Sequence, residues 1–348
     1  MTLRFKFLLF ILDSVQVTQH DRFILTRKAN MDTKRWLLLL SLLLWIPGCM
    51  SLKGERLLKN EKYQDGVATF KSIVQEEPKN PEAHYYLGRF YLAQERPEEA
   101  LPHLKQAVQG DPTKADYHFW LGVAYWAIRD FDLERKNYLQ ALAKDPKHVP
   151  ARLYLAHNFL DSGEWQAALD NYDLLLRREP SNPEALYNKA LALMELHRPK
   201  EEAKAWKGYL QYYPEGKWAS RAVDHLNQLG EFNYRNFTIG YRRVTLEHIP
   251  FPPGSAKLLS QGKASLQVLG TILSINDKIF LEVVCYKSGN PALAAARAKA
   301  VRDYILREFP RLKPSRLGAR GIGLKERIKA GSKVYLLDDS TTFITTKK

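Results

Sequence analysis

The chain has 348 residues, of which 45% are apolar and 26% charged, and a formal net charge of +15. That length allows two or three domains, and the composition excludes a disordered or fibrous polymer. Two cysteines, Cys49 and Cys285, exclude a disulfide framework and a cysteine-rich metal cluster. The charge is uneven: residues 241–348 carry 20 Lys/Arg against 8 Asp/Glu, whereas residues 49–240 are close to neutral. A basic C-terminal third and a neutral centre imply two kinds of partner.

Residues 31–49 read MDTKRWLLLLSLLLWIPGC. Lys34 and Arg35 precede an almost unbroken apolar run of 11 residues, Trp36–Ile46, interrupted at Ser41. That run is short for a bilayer span, which needs about 20 residues, and fits the apolar core of an export signal; a simple N-terminal anchor helix is the alternative. The segment IPGC resembles a bacterial lipobox, which implies lipidation of Cys49. By the same resemblance, Met50 after the cysteine implies sorting to the outer membrane. Residues 1–30 read as a non-native extension ahead of a start at Met31, and 31–48 as the signal peptide.

Prolines then fall at 78, 112, 146, 180 and 214, an interval of 34 each time. With proline at position 32, position 8 is small throughout: Gly54, Gly88, Gly122, Ala156 and Ala190. Position 24 is mostly aromatic: Phe70, Leu104, Tyr138, Tyr172 and Trp206. Small residues let paired helices approach, large ones fill the space between them, and proline stops the second helix. This pattern resembles the tetratricopeptide repeat over about residues 49–214, and the final repeat departs from it at Lys189 and Glu202. Residues 217–229 read as a polar-faced closing helix, so the array is expected over 49–230. In that family the concave face is lined by the first helix of each repeat. The resemblance therefore implies a partner groove of Tyr85, Arg89, Phe119, Val123, Trp126, Leu153, His157 and Tyr187. Some of these side chains can equally pack against neighbouring repeats.

Residues 231–243 read as a linker. VTLEHIPF (244–251) reads as a strand, 256–273 as a helix, and KIFLEVVCY (278–286) as a strand with Cys285 buried in it. Asn290–Pro291 opens a helix to about Glu308, with Leu293, Ala296, Ala300, Tyr304 and Ile305 facing inward. Strands follow at 316–323 and 333–337. The order β-α-β-α-β-β predicts an α+β domain over 244–348. FPPGSAKLL, LAAARAKAVRDYIL and PSRLGARGIG resemble, in order, three motifs of OmpA-like peptidoglycan-binding domains. In that family an aspartate and an arginine hold the amino and carboxylate groups of a cell-wall diaminopimelate. The resemblance puts Arg297 at the arginine position, Ser288 where the aspartate belongs, and Lys287 beside it. The cation is kept and the family's anion is replaced. Arg297 then either contacts an anion or is a solvated helix arginine.

The expected protein is multidomain: an all-α tetratricopeptide-repeat solenoid followed by an OmpA-like domain. Its function is expected to be that of a lipid-anchored scaffold at the periplasmic face of the outer membrane. The repeats would hold a protein or peptide, and the basic domain would contact peptidoglycan or another anionic envelope polymer weakly. The alternative is an envelope or secretion-system assembly lipoprotein whose C-terminal domain is a protein-interaction module. No catalytic spacing, metal motif or cofactor fingerprint is legible, so an enzyme is not expected. The export signal argues against nucleic acid.

Overall fold

A computed structural model describes residues 48–346, with side chains from Met50 to Thr345. The expected extension and almost all of the signal peptide lie outside the described residues. So does the side chain of Cys49, whose backbone opens the first helix. The described chain falls into two compact units, one ending at Gly163 and one beginning at Glu164.

The first unit is a run of paired helices: α1 (Gly48–Lys59), α2 (Tyr63–Glu76), α3 (Pro81–Ala93), α4 (Pro97–Gly110), α5 (Ala115–Ala127), α6 (Phe131–Lys144) and α7 (Val149–Asp161). Each repeat proline follows the end of a second helix, and after Pro78, Pro146 and Pro180 a side chain (Asn80, His148, Asn182) caps the next helix. Asn80, for example, accepts from the backbone N–H groups of Glu82 and Ala83 at 3.0 Å, with Pro81 in the first turn. The cap satisfies otherwise orphaned donors, and proline gives up no needed one.

Helices pair through the small residues. A Cβ on Gly88 would lie 2.5 Å from Leu104, and one on Gly122 would lie 2.5 Å from Tyr138. Leu104, Tyr138 and Phe70 are fully buried, and the apolar Leu104 and Phe70 each stabilise the array by about 1.5–3 kcal/mol. In the first repeat, Gly54 faces Tyr86 of the following repeat rather than Phe70.

The second unit opens with α8 (Trp165–Leu176), α9 (Pro183–Glu195), α10 (Pro199–Tyr212) and α11 (Gly216–Gln228). The two departures from the repeat pattern have local explanations. Lys189 pairs with Asp173 at 2.5 Å, and buried Glu202 accepts from the Trp206 indole at 3.1 Å. The closing helix α11 buries Ala219, Ala222, Val223 and Leu226. Its polar side meets protein as well as water. Asn236 donates to the Ser220 carbonyl at 2.7 Å, and Tyr335 donates to the Gln228 carbonyl at 2.7 Å.

The remainder contains β1 (Tyr234–Ile239), β2 (Arg242–Glu247), α12 (Lys263–Ile275), β3 (Phe280–Lys287), α13 (Pro291–Glu308), β4 (Leu317–Ile322), β5 (Glu326–Ala330), β6 (Lys333–Leu337) and β7 (Asp339–Thr346). The central sheet runs β4-β3-β7, parallel on the β4 side and antiparallel on the β7 side. Helix α13 crosses between the two parallel strands.

This differs from the simpler expected order in four places. The expected linker contains β1, which forms a hairpin with β2 through Gly240 at φ +65°. Glycine at the first central position is the signature of a two-residue hairpin turn. The helix expected from 256 begins only at Lys263, because Pro252 and Ser255 spend their carbonyls on Arg297 in an irregular loop. KVYLL pairs with β5 as a separate hairpin, and the third strand of the central sheet is the threonine-rich β7. Helix α13 also sits rotated from expectation. It buries Ala294, Arg297, Ala298, Val301, Tyr304 and Ile305, while Ala296 is exposed. Treating arginine as an outward residue turns the expected face by about one position.

Cys285 is buried in β3, against Thr341 at 3.3 Å, and burial pushes its thiol up to about 11. It is an inert core side chain.

Candidate functional site

Two sets of residues bear on function: the inner helices of the repeats and the cluster around Arg297.

The expected groove residues lie on α3 (Tyr85, Arg89), α5 (Phe119, Val123, Trp126), α7 (Leu153, His157) and α9 (Tyr187). Six of the eight are buried: Tyr85, Arg89, Phe119, Val123, Leu153 and Tyr187. They do not line an open groove; the aromatic ones fill the joints between helices. Phe119 meets Trp120, Tyr138, His148 and Tyr154 at ring distances of 5.2–5.8 Å. Tyr187 meets Trp206 at 4.9 Å and Trp218 at 4.8 Å.

Arg89 lies over Trp120 at 4.6 Å and Tyr85 at 5.1 Å, donates to Tyr85 Oη at 3.0 Å, and pairs with Glu55. Its charge is spent on tying α1, α3 and α5 together. Trp126 and His157 keep part of their surface, as do Tyr154 and Phe159. In the second unit Trp218 and Tyr212 are exposed. Periodicity names positions on a helix face, but burial there depends on how wide the facing side chains are.

Around Arg297 the geometry also departs from expectation. The side chain is 2% exposed, so it is no solvated helix arginine. Nη1 donates to both carboxylate oxygens of Asp339 at 2.7 and 2.6 Å. Nε donates to the Ser255 carbonyl at 2.8 Å, and Nη2 to that of Pro252 at 3.2 Å. The Phe251 ring stacks on the guanidinium at 4.8 Å. Phe251, Pro252 and Ser255 all belong to the FPPGSAKLL motif, so this arginine physically joins two of the three motifs.

The third motif acts in parallel. Arg316 donates to the carbonyls of Leu273, Asn276 and Ile279, closing the C-terminal end of α12.

Lys287, at the end of β3, donates to Asp339 Oδ2 at 3.2 Å. Ser288 does not stand in for the acid. Its backbone N–H donates to the Asp338 carbonyl at 2.9 Å, and the anion comes instead from Asp339. Partial burial alone would raise the Asp339 pKa. Hydrogen bonds from Arg297 and Lys287 outweigh that and hold it below the usual carboxylate range. Asp339 is 42 residues from Arg297 in the chain and reaches it through the register Lys287↔Asp339 of β3 and β7. The only trace in the sequence is the Asp338–Asp339 pair after KVYLL. The cluster is thus an internally neutralised cation with a carboxylate and an ammonium left partly open beside it. Among the described residues no group of three His, Cys, Asp or Glu side chains could hold a metal.

Paired helices of 34-residue period, locked through glycine and large apolar residues, define a helical repeat array. Tetratricopeptide-repeat family models match residues 57–118, 91–149 and 153–216, and this chain carries tetratricopeptide repeats. No curated protein matches the sequence. Among solved structures, one of MamA is 22% identical, covers 46% of this chain and 94% of its own, and has a TM-score of 0.44. YrrB, described as having an unusual peptide-binding site, is 16% identical, with coverages of 49% and 87% and a TM-score of 0.44. A tetratricopeptide-repeat protein of Thermus thermophilus is 21% identical, with coverages of 52% and 98% and a TM-score of 0.41.

Proposed function

We propose that this protein is an envelope scaffold whose repeats hold a protein partner and whose C-terminal domain is a protein-interaction module. It would be anchored through a lipid on Cys49 at the periplasmic face of the outer membrane, as the KR-apolar-IPGC sequence suggests. The C-terminal domain would keep an OmpA-like fold without that family's cell-wall contact. One observation carries this choice. Arg297, the residue the resemblance assigns to a ligand carboxylate, is 2% exposed and already holds an internal one. A second carboxylate would have to displace Asp339 and enter a filled pocket.

The other reading, a weak peptidoglycan contact, keeps one supporting observation. Asp339 and Lys287 present both signs of charge at the surface, with 41% and 32% of their side chains exposed.

Co-sedimentation of the full chain with isolated sacculi decides between them. Under the module reading, pelleting is weak, vanishes at moderate salt and is unchanged in Asp339→Ala. Salt-resistant pelleting that Asp339→Ala or Lys287→Ala abolishes would establish the cell-wall reading instead. For the repeats, cross-linking in intact cells through a photo-reactive residue at position 126 or 157 should trap a protein. Failure at both positions, with capture from a residue on the opposite helices, would move the partner surface.

A further inference from the structure

Between the last repeat, the closing helix and the tip of the β5–β6 hairpin lies a cavity of about 220 Å³. Its lining includes Glu202, only 5% exposed. One carboxylate oxygen, Oε1, accepts from the Trp206 indole at 3.1 Å. Among the described residues the other has no hydrogen-bond partner, and it is open to the cavity. A buried carboxylate whose only protein partner is a neutral donor lacks the cation that burial normally demands.

Among the described residues no group in contact with Glu202 supplies that cation. His225 lines the cavity and stacks flat on Trp206 at 4.9 Å, and burial lowers its pKa, which keeps it neutral. Burial likewise raises the Glu202 pKa, only partly offset by the indole hydrogen bond. Met194 and Leu229 give an apolar wall, Gln228 a neutral polar group, and Lys333 an exposed cation on the hairpin.

We propose that this cavity binds a small primary amine whose ammonium group pairs with Glu202, and that Lys333 favours amines that also carry a carboxylate. The chemistry is that of a zwitterion receptor: a carboxylate, an ammonium and apolar side chains lining one cavity. A free amino acid satisfies it. The volume limits the inserted part to roughly one residue. The site is separate from the Arg297 cluster and from the partly open aromatics of the repeats. It therefore stands or falls independently of the proposed scaffold role.

Titration calorimetry on the full chain tests it, with ethylamine, L-alanine, L-methionine and acetate as probes. Saturable binding of the amines and none of acetate is expected. The amino acids should bind at least several-fold tighter than ethylamine. Glu202→Gln keeps the shape and an acceptor for the Trp206 indole, so it should leave the fold and melting temperature near those of the wild type while abolishing amine binding. Lys333→Ala should remove the preference for amino acids but keep ethylamine binding. Absence of a saturable signal for every amine at millimolar concentration would overturn the proposal. So would amine binding that Glu202→Gln leaves unchanged. Were Glu202→Gln unstable, the probe ranking and Lys333→Ala still decide: equal binding of acetate and ethylamine by the wild type refutes the site.

Discussion

A carboxylate that is more acidic in the folded protein than in the unfolded chain stabilises the fold wherever it is ionised, and Asp339 is in that position. Its partner Arg297 is buried with two carbonyls and, among the described residues, no other counter-ion. Hydrogen bonds to charged groups contribute about 1.5–3 kcal/mol, and the exposure of Asp339 argues for the lower end. Asp339→Asn should therefore cost about 1–2 kcal/mol at neutral pH. The sign of the pH dependence follows from the depressed pKa. The contribution is complete above the unfolded carboxylate value of about 4 and fades as pH falls through the lower folded value. Thermal melts of wild type and Asp339→Asn should differ by a constant amount at neutral pH and converge in acid. A gap that widened in acid would mean that Asp339 is not the stabilising partner.

At the scale of the helix pair, glycine is there for space. Alanine normally gains about 1 kcal/mol over glycine in a helix interior. At Gly122 the added methyl would lie 2.5 Å from the Tyr138 ring and 3.2 Å from the Glu134 carbonyl, so the pair must separate. Gly122→Ala is expected to lose about 1–3 kcal/mol, the usual cost of overpacking. A methyl added at Gly208 on α10 would meet nothing within 4 Å, so Gly208→Ala should gain up to about 1 kcal/mol. Denaturant melts of the two variants should move in opposite directions. A shift of both the same way would show that propensity, not helix contact, dominates.

For the molecule as a whole, the junction of closing helix and β-rich region within the second unit is the decisive feature. Arg235 on β1 and Glu326 on β5 form a two-bond ion pair at 2.8 and 2.9 Å, both largely buried. Removing one member of a buried pair leaves the other uncompensated, at about 3–5 kcal/mol. Glu326→Ala should free the β5–β6 hairpin, and with it the Tyr335–Gln228 hydrogen bond to α11. Hydrogen exchange should then accelerate together in residues 326–337 and at the end of α11. Acceleration in the hairpin alone would show that its docking is not coupled to the repeat cap.

What the chain reveals by itself is what is local or periodic. The 34-residue interval marks the helix pairs, and position 24 names side chains that are all fully buried, Phe70 through Trp206. The Asn290–Pro291 start of α13 is legible too, because Asn290 caps Leu293 three residues on. Tertiary structure alone decided the rest. Strand β7 reads as polar because threonine carries its β-branched character, and its register against β3 brings Asp339 to Arg297. The eight inner-face residues occupy the expected helices, but six are buried, four of them against wide aromatic neighbours that periodicity cannot weigh. Glu202 stands out in sequence only as a departure from the repeat, and its cavity exists because a hairpin more than 120 residues away folds over it. Periodicity records the forces within an element; burial and charge pairing are set by residues distant in the chain, whose positions no local pattern specifies.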